Sequence, residues 1–366
     1  MQKEKIGIVT IQDDNNYGNR LQNFACIKIL TQCGVICENI CITFERNRIR
    51  LIFKKIISKR LIKLVKSIIK RESICIQYSR TNLFEKFTKK MVCKKIVTSF
   101  IKQGYIDKYF SDYKYCFVGS DQVWNPDFAG QDYYFLNFVE PQKRIAFAAS
   151  IGYTELPDDV LKRYTEHWKQ MRYISVREES AADIIEKATG KRPDVFLDPT
   201  LLLTRKEWDE VKKQPKCNLP KKYILCLFLG KMPEYIKEAY EKAYDMELVI
   251  LNDKAFPDYY VQGPSEFVWL VQNAELVLTD SFHCSVFSII YHKQFWVFER
   301  DDIQLKNMFT RMETLLKRFD MMDRIQKRNA PVSFEKISEQ RFIEAEDIRR
   351  EERDRVLQII GDIVSK

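Results

Sequence analysis

The sequence predicts an α/β protein of two Rossmann-like domains whose parallel sheets face each other across a cleft. Three observations carry this expectation. Short apolar, strand-like runs alternate with helix-like stretches, the rhythm of β-α-β units with parallel pairing. Polar loops stand at the ends of several strand-like runs, where open α/β sheets bind their ligands. The chain has 366 residues, long for one core and suited to two domains.

The first half opens with a strand over Ile6–Thr10, the polar loop Gln12 to Asn19, and an amphipathic helix carrying Leu21, Phe24, Ala25, Ile27 and Leu30. Gly34 ends that helix, and Val35 to Ile42 reads as the second strand. A basic segment and a polar helical stretch near Leu83 follow. Strands at Tyr115–Gly119, Arg144–Ala149 and Tyr173–Val176 come next, with a helix over about 158–171 before the last. In the second half, strands at 223–229, 247–251, 275–279 and 295–299 alternate with helices at 233–244, 264–273, 284–291 and 305–318. Pro233 suits a helical first turn. The expected domains are 1–200 and 201–366, with the link between Asp194 and Asn218.

Composition excludes several classes. Hydrophobic residues make up 45% and aromatic residues 13%, enough for packed cores, and eleven Gly and eleven Pro leave no long disordered linker. No apolar run approaches the roughly 20 residues of a spanning helix. The start, Met1 to Lys5 followed by Ile6, is too quickly polar for a signal peptide. A cytoplasmic location is therefore expected. The ten cysteines contain no Cys-x-x-Cys pair, and Cys116 and Cys226 lie in apolar runs, so reduced structural thiols are expected. No ligand cluster calls for a metal.

The formal charge of +10 is concentrated. From Arg46 to Arg71 there are eleven Lys or Arg and no acid, which leaves the remainder near neutral. A nucleic-acid binder would spread its basic surface more widely, so no nucleic-acid partner is expected. Ile49, Ile52, Phe53, Ile56, Ile57, Leu61, Leu64, Val65 and Ile68 mostly keep three-four spacing within this block. A helix basic on one face and apolar on the other suits an anionic membrane surface, at about 1 kcal/mol per cation. Packing on the domain with a solvated basic face is the plain alternative.

Four polar loops end strands. Asn15-Asn16-Tyr17-Gly18-Asn19-Arg20 opens the first helix without the Gly-x-Gly-x-x-Gly nucleotide signal. Gly119 to Asn125 combines hydrogen-bonding groups with the indole of Trp124, as sugar sites often do. Arg177 lies between a strand and a helix start. The fourth loop, Asp280-Ser281-Phe282-His283, ends an apolar strand and begins a helix, with Ser281 or Asp280 a plausible N-cap. His283 is one of three histidines; His167 reads as solvated and His292 as a surface residue at a helix end. Asp198, ahead of Pro199, reads as a turn.

In this order, NYGNRLQNFA, FVGSDQVWNPDF, FAASIG, YISVREESAADII, DVFLDPTLLL and LTDSFHCSVFSII resemble the polysaccharide pyruvyl transferase family, from about Ile6 to beyond Arg311. The resemblance implies a glycosyltransferase-B-like pair of Rossmann domains. It also implies transfer of the pyruvyl group of phosphoenolpyruvate onto two hydroxyls of one sugar, in capsular or exopolysaccharide assembly. Phosphoenolpyruvate would be the donor substrate, with no further cofactor, and a lipid-linked sugar the expected acceptor. His283 matches the family's histidine and is the candidate general acid or phosphate ligand. Arg177 matches its anion-binding arginine, whose planar fork suits carboxylate or phosphate. Relatives carry Arg and Leu where this chain has Ser281 and Phe282, so one cation is missing unless Arg311 or Arg20 supplies it. Donor contacts are thus expected from Arg177, Ser281, Phe282 and Arg311. Asp121 is a candidate base, and Asn16, Asn19, Arg20, Gln122, Trp124 and Asn125 are assigned to the acceptor. Competing expectations are a sugar-nucleotide glycosyltransferase of the same fold and a non-catalytic membrane-surface or nucleic-acid-binding protein. The basic block would dock the protein at the inner membrane face.

Overall fold

The computed structural model describes residues 3–44, 71–92, 95–99, 109–127, 132–299, 310–327 and 333–366. The basic segment read at 46–71 lies outside them except for Arg71, where a helix begins. Among the described residues twelve strands form two sheets, parallel at every pairing.

The first sheet has strand order β3-β2-β1-β4-β5-β6-β7, from β1 (Lys5–Val9), β2 (Ile36–Phe44), β3 (Lys95–Ser99), β4 (Tyr115–Asp121), β5 (Arg144–Ala149), β6 (Tyr173–Val176) and β7 (Asp194–Val195). Every residue of β5 is buried, as expected of a parallel strand covered on both faces. The second sheet runs β12-β11-β10-β8-β9, from β8 (Tyr223–Leu227), β9 (Glu247–Leu251), β10 (Leu276–Thr279), β11 (Gln294–Phe298) and β12 (Ile325–Gln326). Strand order reverses between β1 and β4 in one sheet and between β8 and β10 in the other. Such switch points open a crevice at the carboxyl ends of the strands.

Among the described residues nine longer helices cover the sheets: α1 (Tyr17–Gln32), α2 (Arg71–Phe87), α3 (Asp158–Trp168), α4 (Glu179–Thr189), α5 (Glu234–Tyr244), α6 (Pro264–Asn273), α7 (Phe282–Ile290), α8 (Thr310–Arg318) and α9 (Glu339–Ser365). Helix α1 is buried from Tyr17 to Cys26 because it lies between the lobes. One apolar cluster joins Ile8 and Phe117 of the first sheet to Leu225, Val277 and Val297 of the second. The lobes therefore share a core.

Helix α9 returns to the first sheet's side. Arg349 donates to the carbonyls of Leu201 (2.9 Å) and Leu203 (2.6 Å), and Arg355 pairs with Asp194 at 2.5 Å. The division of strands between the sheets falls between Val195 and Tyr223, and the last helix crosses it.

Candidate active site between the two lobes

His283 lies in the first turn of α7, directly beyond β10, and is 8% exposed. The turn before it is tied down locally. The Thr279 hydroxyl donates to the Leu227 carbonyl at 2.6 Å and accepts from the Ser281 amide at 2.9 Å. Ser281 holds the N-cap position without a side-chain cap bond. Asp280, read from sequence as a plausible N-cap, instead accepts from the amides of Leu229 (2.7 Å) and Gly230 (2.8 Å). It joins the ends of β8 and β10.

The carboxylate facing His283 is Asp198, with Oδ2 3.7 Å from Nε2. That is ion-pair range and too long for a hydrogen bond. The other oxygen accepts from the Thr200 amide (3.0 Å) and hydroxyl (2.6 Å). Asp198 is thus both the turn that its Asp-Pro sequence suggested and a site residue, a second role that the sequence reading missed. Only the meeting of the first sheet's last turn with α7 reveals it.

Arg177 follows β6 and is buried among acids. It pairs with Asp198, with Asp121 at 3.4 Å and with Glu178 at 3.8 Å. Burial would lower the Arg177 guanidinium's pKa, but Asp198, Asp121 and Glu178 together raise it above the usual arginine value. Burial would likewise raise the Asp198 carboxyl, yet Arg177, His283 and Thr200 hold it far below the carboxylate range. Asp121 is displaced downward in the same way, against burial, by Arg177, His283 and Arg311. A carboxylate held so strongly as the anion is a weak proton acceptor, which argues against Asp121 as base and for an orienting role. Arg177, expected to bind the donor's anion, already carries acidic partners of its own. Three acids share its one guanidinium, which also lines the larger of the site's cavities.

The local sequence explains this arrangement. At Ala148 the strand pairing of β5 and β6 slips, and Ser175 fills the break by accepting from the Ala148 amide (3.0 Å) and donating to the Ala146 carbonyl (3.0 Å). Glu178, fully buried, accepts from the Ser150 hydroxyl (2.9 Å) and the amides of Ile151 (2.8 Å) and Gly152 (3.0 Å). The FAASIG and YISVREES motifs thereby lock each other and set Arg177 beside Asp121. Asn19 donates to Asp121 at 2.8 Å, and Asn16 caps α1 by accepting from the Asn19 amide at 3.2 Å.

Two cavities lie at the site, and His283 lines the smaller of them. The larger, about 730 Å³, is lined by Arg177, Asp198, Phe282, Arg311, Thr310 and Glu179 among others. Phe282 lies under both Arg177 (4.9 Å) and Arg311 (5.5 Å), and Arg311 stands 4.0 Å from Asp121. The smaller, about 210 Å³, is lined by Asn16, Tyr17, Gly18, Arg80, Ser281 and His283 among others. Gly18 is required there: a Cβ on it would fall 2.1 Å from Nδ1 of His283.

Four expected acceptor residues lie elsewhere. Trp124 is wholly buried, stacked on Phe135 at 5.6 Å and donating to the Tyr134 carbonyl at 3.1 Å. Gln122 and Asn125 pack beneath Gly152, where a Cβ would meet their amide nitrogens at 2.4 and 3.2 Å. Arg20 is fully buried and binds Gln12, Asp14, Asn19 and Thr88, so it braces the loop before α1. The packing of the first lobe claimed these side chains, all of them buried. His167 stacks on Phe135 at 4.6 Å and His292 on Phe342 at 4.9 Å, so neither is simply a solvated surface group. Among the described residues, no cluster of His, Cys, Asp or Glu could hold a metal ion. No helix there is long and apolar enough to cross a membrane.

The profile of the polysaccharide pyruvyl transferase family matches residues 16–302. The chain belongs to that family. The matched stretch runs from the N-cap of α1 past α7, and so contains Asp121, Arg177, Asp198 and His283 of this transferase. No curated protein matches the chain. Among solved structures, UDP-GlcNAc 2-epimerase from Methanocaldococcus jannaschii is similar at 12% identity with a TM-score of 0.50, over 97% of this chain and 99% of that one. ADP-heptose LPS heptosyltransferase II of E. coli (8% identity, TM-score 0.37) matches over 99% and 98% of the two chains. The wall teichoic acid polymerase TagF (10%, TM-score 0.46) matches over 99% and 88%. The fold of this pyruvyl transferase family member is glycosyltransferase-B-like, as expected.

Proposed function

We propose that the chain moves the pyruvyl unit of phosphoenolpyruvate onto two hydroxyls of one sugar, leaving a cyclic ketal and inorganic phosphate. In the first step a proton adds to the methylene carbon, and the adjacent carbon becomes oxocarbenium-like. One sugar hydroxyl attacks that carbon, phosphate leaves with the C–O bond electrons, and the second hydroxyl closes the ring. The two hydroxyl protons balance the one delivered to carbon and the one on the phosphate. The observation that carries this reading is the position of His283 in the wall of the 210 Å³ cavity, fronted by Asp198 and backed by Gly18.

Imidazole is the side chain suited to passing a proton near neutral pH. In this reading His283 delivers the proton, Asp198 and Arg177 position its ring, and Asp121 orients the reacting groups. The 730 Å³ cavity, with Phe282 as an apolar wall and hydroxyl-bearing Thr310 and Thr154, is assigned to the sugar acceptor. The acceptor is assigned as a lipid-linked oligosaccharide for capsule or exopolysaccharide, with residues 46–71 docking the protein at an anionic membrane face.

Incubation with phosphoenolpyruvate and a panel of galactosides and mannosides should release phosphate and give the ketal-carbon resonance in NMR spectra. Turnover of a sugar nucleotide with no phosphoenolpyruvate consumption would overturn the assignment. Co-sedimentation with liposomes should need both anionic lipid and residues 46–71.

A further inference from the structure

We propose that Arg80 is the anion-binding cation of the cleft and holds the donor's phosphate group in the 210 Å³ cavity beside His283. Arg80 lies on α2 and is 2% exposed. Its contacts are all with neutral groups. Nη1 donates to the Tyr17 hydroxyl (2.6 Å) and the Tyr260 carbonyl (2.8 Å), and Nη2 to Asn252 Oδ1 at 3.4 Å. The rings of Tyr17, Phe84 and Tyr260 surround the guanidinium at 4.5, 5.1 and 4.7 Å. Among the described residues no carboxylate pairs with it. A desolvated cation without a counter-charge is costly; Arg144 is likewise buried with only neutral partners, but it lines neither cavity. Arg177, by contrast, has three acids.

The guanidinium faces the smaller cavity, whose lining holds one carboxylate, Asp13, with Oδ1 accepting from the Asn15 amide at 2.9 Å. Arg80, Ser281 and His283 all line it. The N-termini of two helices also converge there: Tyr17 and Gly18 open α1, and Ser281 and His283 open α7 without a side-chain cap. Helix N-termini present amide N–H groups and positive dipole ends to an oxyanion. At about 210 Å³ the cavity falls below the roughly 300–1,000 Å³ of sites for drug-sized ligands, so a phosphate group fits it better than a nucleoside diphosphate. Arg311 borders the other cavity and Arg20 is consumed by its loop, so neither competes for this role.

The identity of the donor rests on the pyruvyl-transfer reading; the anion site does not. Calorimetric titration of the full chain with inorganic phosphate, then with phosphoenolpyruvate, tests both. Arg80→Gln should weaken each ligand by tenfold or more. Because Arg80 also joins the lobes, Ser281→Asp supplies a second variant. It introduces an acid at an N-cap that favours aspartate, and should leave the melting temperature within a few degrees while weakening phosphate at least tenfold. Unchanged phosphate affinity in Ser281→Asp and in folded Arg80→Gln would overturn the assignment. So would a wild-type chain that binds no phosphate at millimolar concentration. Arg80-dependent phosphate binding displaced by UDP and not by phosphoenolpyruvate would keep Arg80 and remove pyruvyl transfer. Equal phosphoenolpyruvate turnover in wild type and both variants would keep pyruvyl transfer and remove Arg80.

Discussion

Replacing Gly18 by alanine probes the contact on which His283 depends. A Cβ there would sit 2.1 Å from Nδ1, 2.3 Å from Cγ and 2.7 Å from Cβ of His283, about 1.3 Å inside the 3.4 Å at which ordinary contact begins. Gly18 lies in the first turn of a helix, where alanine would by itself stabilise by about 0.5–1 kcal/mol. The two effects have opposite signs. Overpacking a tight site costs about 1–3 kcal/mol, so the net change should be destabilising by about 1–2 kcal/mol. The displaced imidazole matters more, since an error of about 1 Å in a catalytic group costs roughly 10²-fold in rate. Thermal unfolding and steady-state turnover of phosphoenolpyruvate give the two readouts. A Gly18→Ala chain that is more stable than wild type and turns over normally would refute the close approach and the placement of His283 built on it.

Other perturbations separate site from scaffold. Asp198→Asn keeps an oxygen for the Thr200 amide but removes the charge facing Arg177 and His283; turnover should fall by roughly 10²-fold and denaturant stability by about 3 kcal/mol, and wild-type turnover would contradict the positioning role. Trp124→Phe should cost about 1–2 kcal/mol through the lost bond to Tyr134 and imperfect packing, with KM for the sugar unchanged; a tenfold rise in KM would return Trp124 to the acceptor site. Glu207, opposed by burial but held by Arg353 and Thr204, and Glu346, held chiefly by His292, are each depressed from 4.5 to about 2. Their folded values lie below the unfolded ones, so their stabilisation is present above about pH 4.5 and lost as pH falls toward 2. Urea midpoints should drop across that window, less steeply in Glu207→Gln, and a flat profile would count against it. Burial pushes the thiols of Cys26, Cys116 and Cys284 up to about 12, so iodoacetamide at pH 8 should spare them until the chain unfolds; prompt alkylation would show that the core opens.

The fold was legible because its signal is local and repeated. β5, β6, β9 and α6 have the bounds that apolar runs and punctuating residues suggest. Helix α9 escaped notice because its buried apolar stripe, Phe342, Ala345, Val356, Ile360 and Val364, is interrupted by Arg349 and Glu352, and Arg349 bonds backbone carbonyls. In the site, His283 stood out by its place after a strand, and Arg177 and Asp121 by lying in strand-end loops. Asp198 was hidden because Asp-Pro reads equally well as a turn, which it also is. Arg80 was invisible in a polar helical stretch, since nothing in its neighbourhood of sequence signals a buried, acid-free cation.

What the amino-acid order determined by itself was the two-sheet α/β design, the family, and the loops that could bear chemistry. Which polar side chains in those loops reach the cleft was decided only by tertiary packing. Trp124, Gln122, Asn125 and Arg20 turned inward into the packing of the first lobe. Asp198, Gly18 and Arg80 were brought to His283 by contacts between segments far apart along the chain. The physical reason is that burial and charge pairing are settled across the whole molecule, and a residue's chemistry follows from the partners that folding leaves it.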